Sequence, residues 1–338
     1  MSTQSRISHV IGRRNASRAL MSVGLATLGL VALSSALAQS FPSRPVKVLL
    51  MFPPGGGSDS QARWIADKFR DITGQPLIVE NRPGAGGIIA ANAVKAGPAD
   101  GYTLVHSNVA MMSLTPVLNP TSSFVEADFV PVASISVASP LFVARADFPV
   151  SNLKEFVARA KAKPGELAYG TWGPGSLPHV AGAWLESETS IKLNAVHYKG
   201  EVPLLTEMLG GQISLGWTSV SAAQPHIKDG KLKVIGVASD KRYPQFPQAP
   251  TFVEQGASDF VIVSWTGFHA PKGTPADIVA RLNAVINEAL RAPQVRDRIQ
   301  DQGQFVVTQT SAQFAEFIKQ NAARLRPILT KIGPSIRE

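Results

Sequence analysis

The chain has 338 residues, 44% of them hydrophobic and 17% charged, which supports one large or two modest packed domains and excludes a disordered chain. Cysteine is absent, which excludes disulfides, thiolate metal sites, iron–sulfur clusters and cysteine nucleophiles. The 33 Lys and Arg exceed the 24 Asp and Glu, a formal charge of +9, but the densest basic cluster, Arg159, Lys161 and Lys163, reads as a solvated helix face rather than a nucleic-acid stripe.

Residues 1–38 read as a secretory signal peptide. Arg6, Arg13, Arg14 and Arg18 give a basic start without acids, an apolar run follows from Ala19 to Leu33, and Ala36-Leu37-Ala38 fits a signal peptidase site. The run is short and rich in small residues for a membrane span; an uncleaved anchor is the competing reading. Cleavage near Ala38 delivers a chain without a second long apolar run to a bacterial periplasm. Arg13-Arg14 hints at twin-arginine export, yet Asn15 and Ala16 do not continue that pattern, so both export routes stay open.

Beyond the leader, strands alternate with helices. Val46 to Met51 is strand-like, Pro53-Pro54-Gly55-Gly56-Gly57 breaks it, and Asp59 to Thr73 has apolar residues on one helix face. Leu77 to Glu80 is a second strand, Asn81 to Gly87 a second break, Ile88 to Lys95 a second helix and Tyr102 to His106 a third strand. Such alternation predicts a parallel sheet covered on both faces. The middle of the chain repeats the pattern. A helix capped by Ser151 or Asn152 runs to Lys163, and Leu167 to Tyr169 is a strand. The Gly/Pro-rich loop 170–178 and a helix to Glu188 follow. Leu193 to His197 is a strand, Val202 to Leu209 a helix, and Ile213 to Trp217 and Val234 to Ala238 are strands.

Two apolar runs, Leu141 to Ala144 and Phe260 to Trp265, read as strands crossing between domains. Thr274 as N-cap and Pro275 at the first helical position start another helix, and a last one begins near Ser311. The chain therefore leaves a first lobe (39–140 and 262–338), builds a second (141–261) and returns. Two α/β lobes joined by two crossing strands make a hinge with a cleft.

Strand, glycine turn and helix recur at Gly55-Gly56-Gly57-Ser58, at Gly84-Ala85-Gly86-Gly87, and from Gly170 to Ser176. The first amides of a helix lack internal partners and share the positive end of its dipole. Glycine lets an anion approach them closely. Glycines that only turn the chain are the plain alternative. A dinucleotide site is disfavoured, because Ser58, Asp59 and Ser60 break the G-x-G-x-x-G spacing and no Gly-Lys-Ser/Thr occurs. A hydrolase built on Ser58 or Ser176 with Asp59 and His179 lacks Gly-x-Ser-x-Gly. Capture of a small carboxylate by amides, helped by the hydroxyls of Ser58, Ser107, Thr171 and Ser176, needs no arginine or lysine. The six scattered histidines hold no HExxH, so neither a metal nor a cofactor is expected.

Phe52-Pro53-Pro54-Gly55-Gly56-Gly57-Ser58-Asp59, Glu80-Asn81-Arg82-Pro83-Gly84-Ala85-Gly86-Gly87 and Pro98-Ala99-Asp100-Gly101-Tyr102 resemble loops of a known family. So do Gly173-Pro174-Gly175-Ser176, Tyr198-Lys199-Gly200, Leu209-Gly210-Gly211-Gln212 and Trp265-Thr266-Gly267. The family is Bug, the periplasmic solute receptors of tripartite tricarboxylate transporters, and the likeness runs through the whole mature chain. It implies a type II periplasmic-binding-protein fold that closes like a Venus flytrap. It also implies a carboxylate ligand held mainly by two first-lobe loops, partly through ordered waters. By position it points to Phe52, Gly55, Ser58 and Asp59, to Gly84, Ala85 and Gly86, and to Ser107 and Asn108. The second lobe would add Thr171, Ser176, His179 and Tyr198. The chain departs from the family at Ser214, Trp172 and Thr218. Thr218 stands where an acid is frequent, which argues against an amino-acid ligand. Trp172 and Trp217 could stack on a ring, so an aromatic carboxylate is slightly preferred over an aliphatic di- or tricarboxylate, with Trp217 as core and Trp172 as a lid the plain alternative. The implied partners are a large and a small membrane subunit, with the receptor a monomer. A sensing role beside a signalling partner is the alternative within binding, and a periplasmic serine hydrolase the alternative outside it.

Overall fold

The computed structural model describes residues 41–118 and 122–337. The leader reading lies outside the described residues. Eleven strands, β1 (Val46–Leu50), β2 (Leu77–Asn81), β3 (Thr103–Asn108), β4 (Phe129–Ala138), β5 (Leu141–Arg145), β6 (Ala168–Thr171), β7 (Asn194–His197), β8 (Leu215–Thr218), β9 (Leu232–Val237), β10 (Ser264–Pro271) and β11 (Phe305–Val306), form two sheets among the described residues. The helices are α1 (Gly57–Thr73), α2 (Ile88–Lys95), α3 (Thr115–Leu118), α4 (Leu153–Ala162), α5 (Leu177–Thr189), α6 (Glu201–Leu209), α7 (Val220–Lys228), α8 (Ala276–Arg291), α9 (Pro293–Asp301) and α10 (Ser311–Arg337).

The first sheet has the order β11-β4-β10-β3-β1-β2. β1 runs parallel to β2 and β3, with Val48 opposite Val79 and Leu104, while β10 is antiparallel to β3 and β4. Val46, Val48, Leu49 and Leu50 are all buried, as expected for a strand covered on both faces. The second sheet has the order β7-β6-β8-β5-β9. There β6 is parallel to β7 and β8, and β5 is antiparallel to β8 and β9. Helix packing on this sheet depends on missing side chains. A Cβ on Gly182 of α5 would stand 2.1 Å from the Tyr169 ring of β6, and one on Gly170 would stand 2.0 Å from Leu204 of α6.

Three chain passages lie side by side between the sheets. The Ala238 amide donates to Pro140, the Ile262 amide donates to Ala238, and the Tyr243 hydroxyl donates to the Ser139 carbonyl. Helix α10 begins over β4, where Phe314 meets Trp265 edge-on at 5.5 Å, and continues along α5 of the second sheet.

The structure departs from the sequence reading in three places. The run Phe260 to Val263 is not a strand; Phe260 is buried among Trp184, Trp217 and Phe252, and pairing begins only at Ser264. Thr274 does not cap α8: its hydroxyl donates to the Pro271 carbonyl, and Pro275 is the N-cap. Strand β4, helices α7 and α9, and the short β11 had no counterpart in the reading.

Candidate ligand-binding site

In each sheet, three adjacent parallel strands deliver their carboxyl ends to one edge. In the first these are β3, β1 and β2; in the second they are β7, β6 and β8. Ligands of open α/β sheets bind outside the carboxyl ends of strands. Nearly all the residues singled out from sequence lie at these six ends, and the two sets approach one another: a Cβ on Gly175 would stand 3.5 Å from Leu118 of α3.

The first loop runs from β1 into α1. Gly55, Gly56 and Gly57 are exposed, and no side chain caps the start of α1, so its leading amides are open to an anion. Asp59, by contrast, is 3% exposed. Its Oδ2 accepts from the Gly55 amide and Arg63 Nε at 3.0 Å each, and its Oδ1 from Arg63 Nη2 at 3.0 Å and Asn81 Nδ2 at 2.9 Å. The Arg63 hydrogen bonds, with smaller help from Gly55 and Asn81, outweigh burial and lower its pKa to about 2. With its lone pairs engaged, this carboxylate has no capacity left for a ligand. Asp59 shapes the loop instead. Asn81 completes the clamp by donating to the Phe52 carbonyl at 2.9 Å and accepting from Arg63 Nη2 at 3.2 Å.

The second loop is open too. Gly84 and Gly86 are exposed, and Ala85–Gly87 form one tight turn leading into α2. Gly86 has φ 61° and Gly87 φ 96°, and Gly87 N–H bonds the Gly84 carbonyl. Two successive left-handed residues turn neighbouring amides toward one side, a conformation that side chains oppose. At the end of β3 the two candidates separate. The Ser107 hydroxyl is buried, donates to the Gly267 carbonyl at 3.0 Å and is bonded to His269 Nδ1 at 2.7 Å, so it serves the sheet. Asn108 is partly exposed and spends only its Oδ1, on the Met111 amide. Phe52 lies edge-on to His106 at 6.4 Å. His106 is fully buried, neither of its ring nitrogens has a protein partner, and burial lowers its pKa to about 4.

The second-lobe loops are tied by their own side chains. Trp172 Nε1 donates to the Trp217 carbonyl at 3.0 Å, which lays the indole over the end of β8. Trp217 is fully buried against Phe142, 4.9 Å away, and Phe252, so it belongs to the core and offers no face to a ring. The Thr171 hydroxyl is bonded to His197 Nδ1 at 2.7 Å and accepts from the Gly173 amide. Ser176 Oγ donates to the Gly173 carbonyl at 2.7 Å and leaves the start of α5 without a side-chain cap. His179 is 6% exposed, its Nδ1 accepts from the Gly175 amide at 3.2 Å, and its ring lies 4.5 Å from that of His197. Burial and, secondly, His197 lower its pKa to about 4. Its proton is therefore on Nε2, which has no protein partner. Ser176 and His179 are not hydrogen-bonded to each other, so a nucleophile–base pair is not set up there. Thr218 is fully buried with its hydroxyl unpartnered, and the Tyr198 amide bonds the Thr171 carbonyl. At the start of α7, Glu201 already supplies an anion, accepting from the Ser219 amide and hydroxyl; burial raises its pKa.

Two arginines of these segments are ion-paired. Arg63 holds Asp59, and Arg82 holds Glu80 at 2.6 Å. Among the described residues, no group of three or more His, Asp or Glu converges in a way that could hold a metal, and no helix is long and apolar enough to cross a membrane.

Residues 61–334 match the family described as tripartite tricarboxylate transporter family receptor, TctC. The chain belongs to this family. BugT of Bordetella pertussis is 34% identical over 321 residues, spanning 94% of this chain and 98% of that protein. MatC from Rhodopseudomonas palustris, solved with bound malate, is 31% identical with a TM-score of 0.76, covering 86% of this chain and 100% of that one. Rpa4515 of R. palustris, solved with adipate, is 28% identical with a TM-score of 0.79, covering 87% and 98%. The two sheets are thus the two lobes of a TctC-type periplasmic solute-binding protein, with its Venus-flytrap architecture.

Proposed function

We propose that this TctC-family receptor captures a small aliphatic di- or tricarboxylate in the cleft between its lobes. The observation that carries this reading is the pair of uncapped helix starts at α1 and α2, reached by exposed glycines, with the neighbouring arginines already spent on Asp59 and Glu80. One carboxylate lies on the amides of the first two loops, beside Ser58 and Asn108. A second reaches the uncapped start of α5, where His179 Nε2 can donate, and the end of β8, where the Thr218 hydroxyl is buried without a partner. Hydrogen bonds to a charged acceptor are worth ~1.5–3 kcal/mol each. Four or five of them give a gross ~6–15 kcal/mol against an association cost of ~4–15 kcal/mol, so apolar contacts must add to them for micromolar affinity. An aliphatic ligand is preferred over an aromatic one because Trp217 is core and Trp172 is tied to it. The related receptors with bound malate and adipate accord with this class.

The remaining assignments belong to the same reading. Residues 39–140 with 262–338 form the lobe that receives the ligand, and 141–261 the lobe that closes over it. The leader directs the chain to the periplasm and is removed near Ala38. The closed monomer is then recognised by a large and a small membrane subunit of the transporter.

Calorimetry and thermal shift with succinate, malate, adipate and citrate, against acetate and benzoate, test the reading. The expected result is a shift of several degrees with at least one di- or tricarboxylate and little with acetate. A response to benzoate alone, or to none of the six, would overturn it. Ester or amide turnover lost in Ser176→Ala would favour a hydrolase instead.

A further inference from the structure

The turn between α9 and β11 lies far along the chain from every loop discussed so far, yet it borders the first of them. Gln302 Oε1 accepts from Gln61 Nε2 at 2.8 Å. Gln61 is fully buried on the first turns of α1, and its own Oε1 has no protein partner. The two carboxamides therefore do not satisfy each other, and Gln302 Nε2 keeps two unspent donors among the described residues. The Gln302 carboxamide stands beside the open end of α1: a Cβ on Gly57, the first residue of that helix, would be 3.6 Å from its oxygen and 3.8 Å from its nitrogen.

The other side of the same turn meets the second lobe. Gly303 is buried with φ 69°, and a Cβ there would fall 2.0 Å from Cγ1 of Val220, the first residue of α7. The Gln300 carbonyl accepts from Gln245 Nε2 at 3.0 Å, and Phe305 stacks on Tyr243 at 5.4 Å. One short segment thus stands beside Gly57 at the start of α1 and packs against the β8–α7 junction of the opposite lobe.

We propose that Gln302 is a ligand-contacting residue: its carboxamide N–H donates to the carboxylate held at the start of α1, in the arrangement in which Gly303 seats Val220. This rests on the carboxylate reading above and adds to it a contact from a third segment of the chain. The side chain is neutral, so it adds a donor without fixing a charge that would slow release.

The test uses the full mature chain and whichever of malate or adipate gives the larger calorimetric signal. Gln302→Glu keeps the acceptor for Gln61 and adds a negative charge; it is expected to weaken binding by about tenfold or more, because like charges across a binding site cost several kcal/mol. Gln302→Lys, with the opposite charge, is expected to bind as tightly as the parent or more tightly. Gln302→Leu is expected to lose about three- to tenfold, the worth of one hydrogen bond. A purely structural role would move Glu and Lys variants in the same direction, and that result overturns the proposal. Gly86→Val separates the two levels. If it abolishes binding while all three Gln302 variants bind like the parent, only the role of Gln302 fails. If neither Gly86→Val nor any Gln302 variant changes affinity, or none of succinate, malate, adipate and citrate binds, the carboxylate site itself fails.

Discussion

The two lobes present the same topology to the cleft and furnish it differently. Each offers the carboxyl ends of three adjacent parallel strands, followed by helix starts. In the first lobe Gly55, Gly56, Gly57, Gly84 and Gly86 are exposed and, among the described residues, the one side chain bonded into these turns, Asp59, holds Gly55 while Asn81 holds the Phe52 carbonyl. In the second lobe the equivalent turns are filled by their own residues. Trp172 covers the end of β8, Thr171 is joined to His197, and Glu201 occupies the start of α7. The difference teaches how a receptor divides labour. In the proposed reading one lobe keeps amides bare for the charge, and the other is a shaped, pre-bonded cover.

Four substitutions or conditions sharpen that contrast, and the largest effect belongs to the bare turn. Gly86→Val forces a β-branched residue to φ 61°, a conformation disfavoured by ~1–2 kcal/mol or more. It should raise the Kd for malate or adipate by at least about 100-fold, as roughly two charge-assisted hydrogen bonds are lost. Circular dichroism should show the fold retained. Wild-type affinity in this variant would break the comparison.

Asp59→Ala comes next. It strands the Gly55 amide and Asn81, while the half-exposed Arg63 can turn to water, so the cost is that of unsatisfied polar groups, ~1–3 kcal/mol. Both thermal stability and affinity should drop, because loop one loses its support. Asp59→Asn should fall between the two. If affinity survived while stability fell, the loop would not need its clamp.

Acid is the third probe. The pKa values of His106, His179 and His269 are lowered to about 4, 4 and 3, chiefly by burial. Their neutral forms are favoured in the fold, so the unfolded chain binds more protons below its ordinary histidine pKa of about 6.5. Stability should therefore be full above about pH 6.5 and fall as pH drops toward 4 and 3. Asp59 adds a later loss, between its unfolded value near 4 and its folded value of about 2. His106→Leu should flatten the upper part of the denaturation curve, read as midpoint against pH. An unchanged slope would count against the buried neutral ring.

The smallest effect is expected from the cover. Trp172→Phe removes the bond to the Trp217 carbonyl and should weaken all bound acids alike, by about three- to tenfold for one hydrogen bond. A selective loss for ring-bearing acids would return the aromatic ligand to contention.

Much of this was legible in the sequence for physical reasons. A strand closed by glycines and followed by a one-faced helix leaves a local signature, so β1, α1, β2, α2 and β3 were found near their observed limits. Strand β4 is absent from the sequence reading because Pro131, Ser134 and Ser136 dilute its apolar alternation; the strand tolerates Pro131 because β11 covers only its Ser136–Val137 end. Helix α7 was hidden by Pro225 in its interior. Phe260 to Val263 shows the opposite error: an apolar run reports burial, and here an aromatic cluster rather than a ladder does the burying. At the site, glycines could be read because their backbone role is local. Asn81, His197 and Gln302 could not, since their partners lie on other elements and meet only in the fold. The bond of Asp59 to Arg63 is not part of the sequence reading, although the i, i+4 spacing of the pair is a readable clue.

The most direct test is a crystal structure of the receptor with malate or adipate, whichever binds more tightly. The result expected is a carboxylate within about 3 Å of the backbone amides of the first two loops, directly or through one water, with the second lobe closed over it. A carboxylate held chiefly by a lysine or arginine, such as Lys199, or lying away from the starts of α1 and α2, would contradict it.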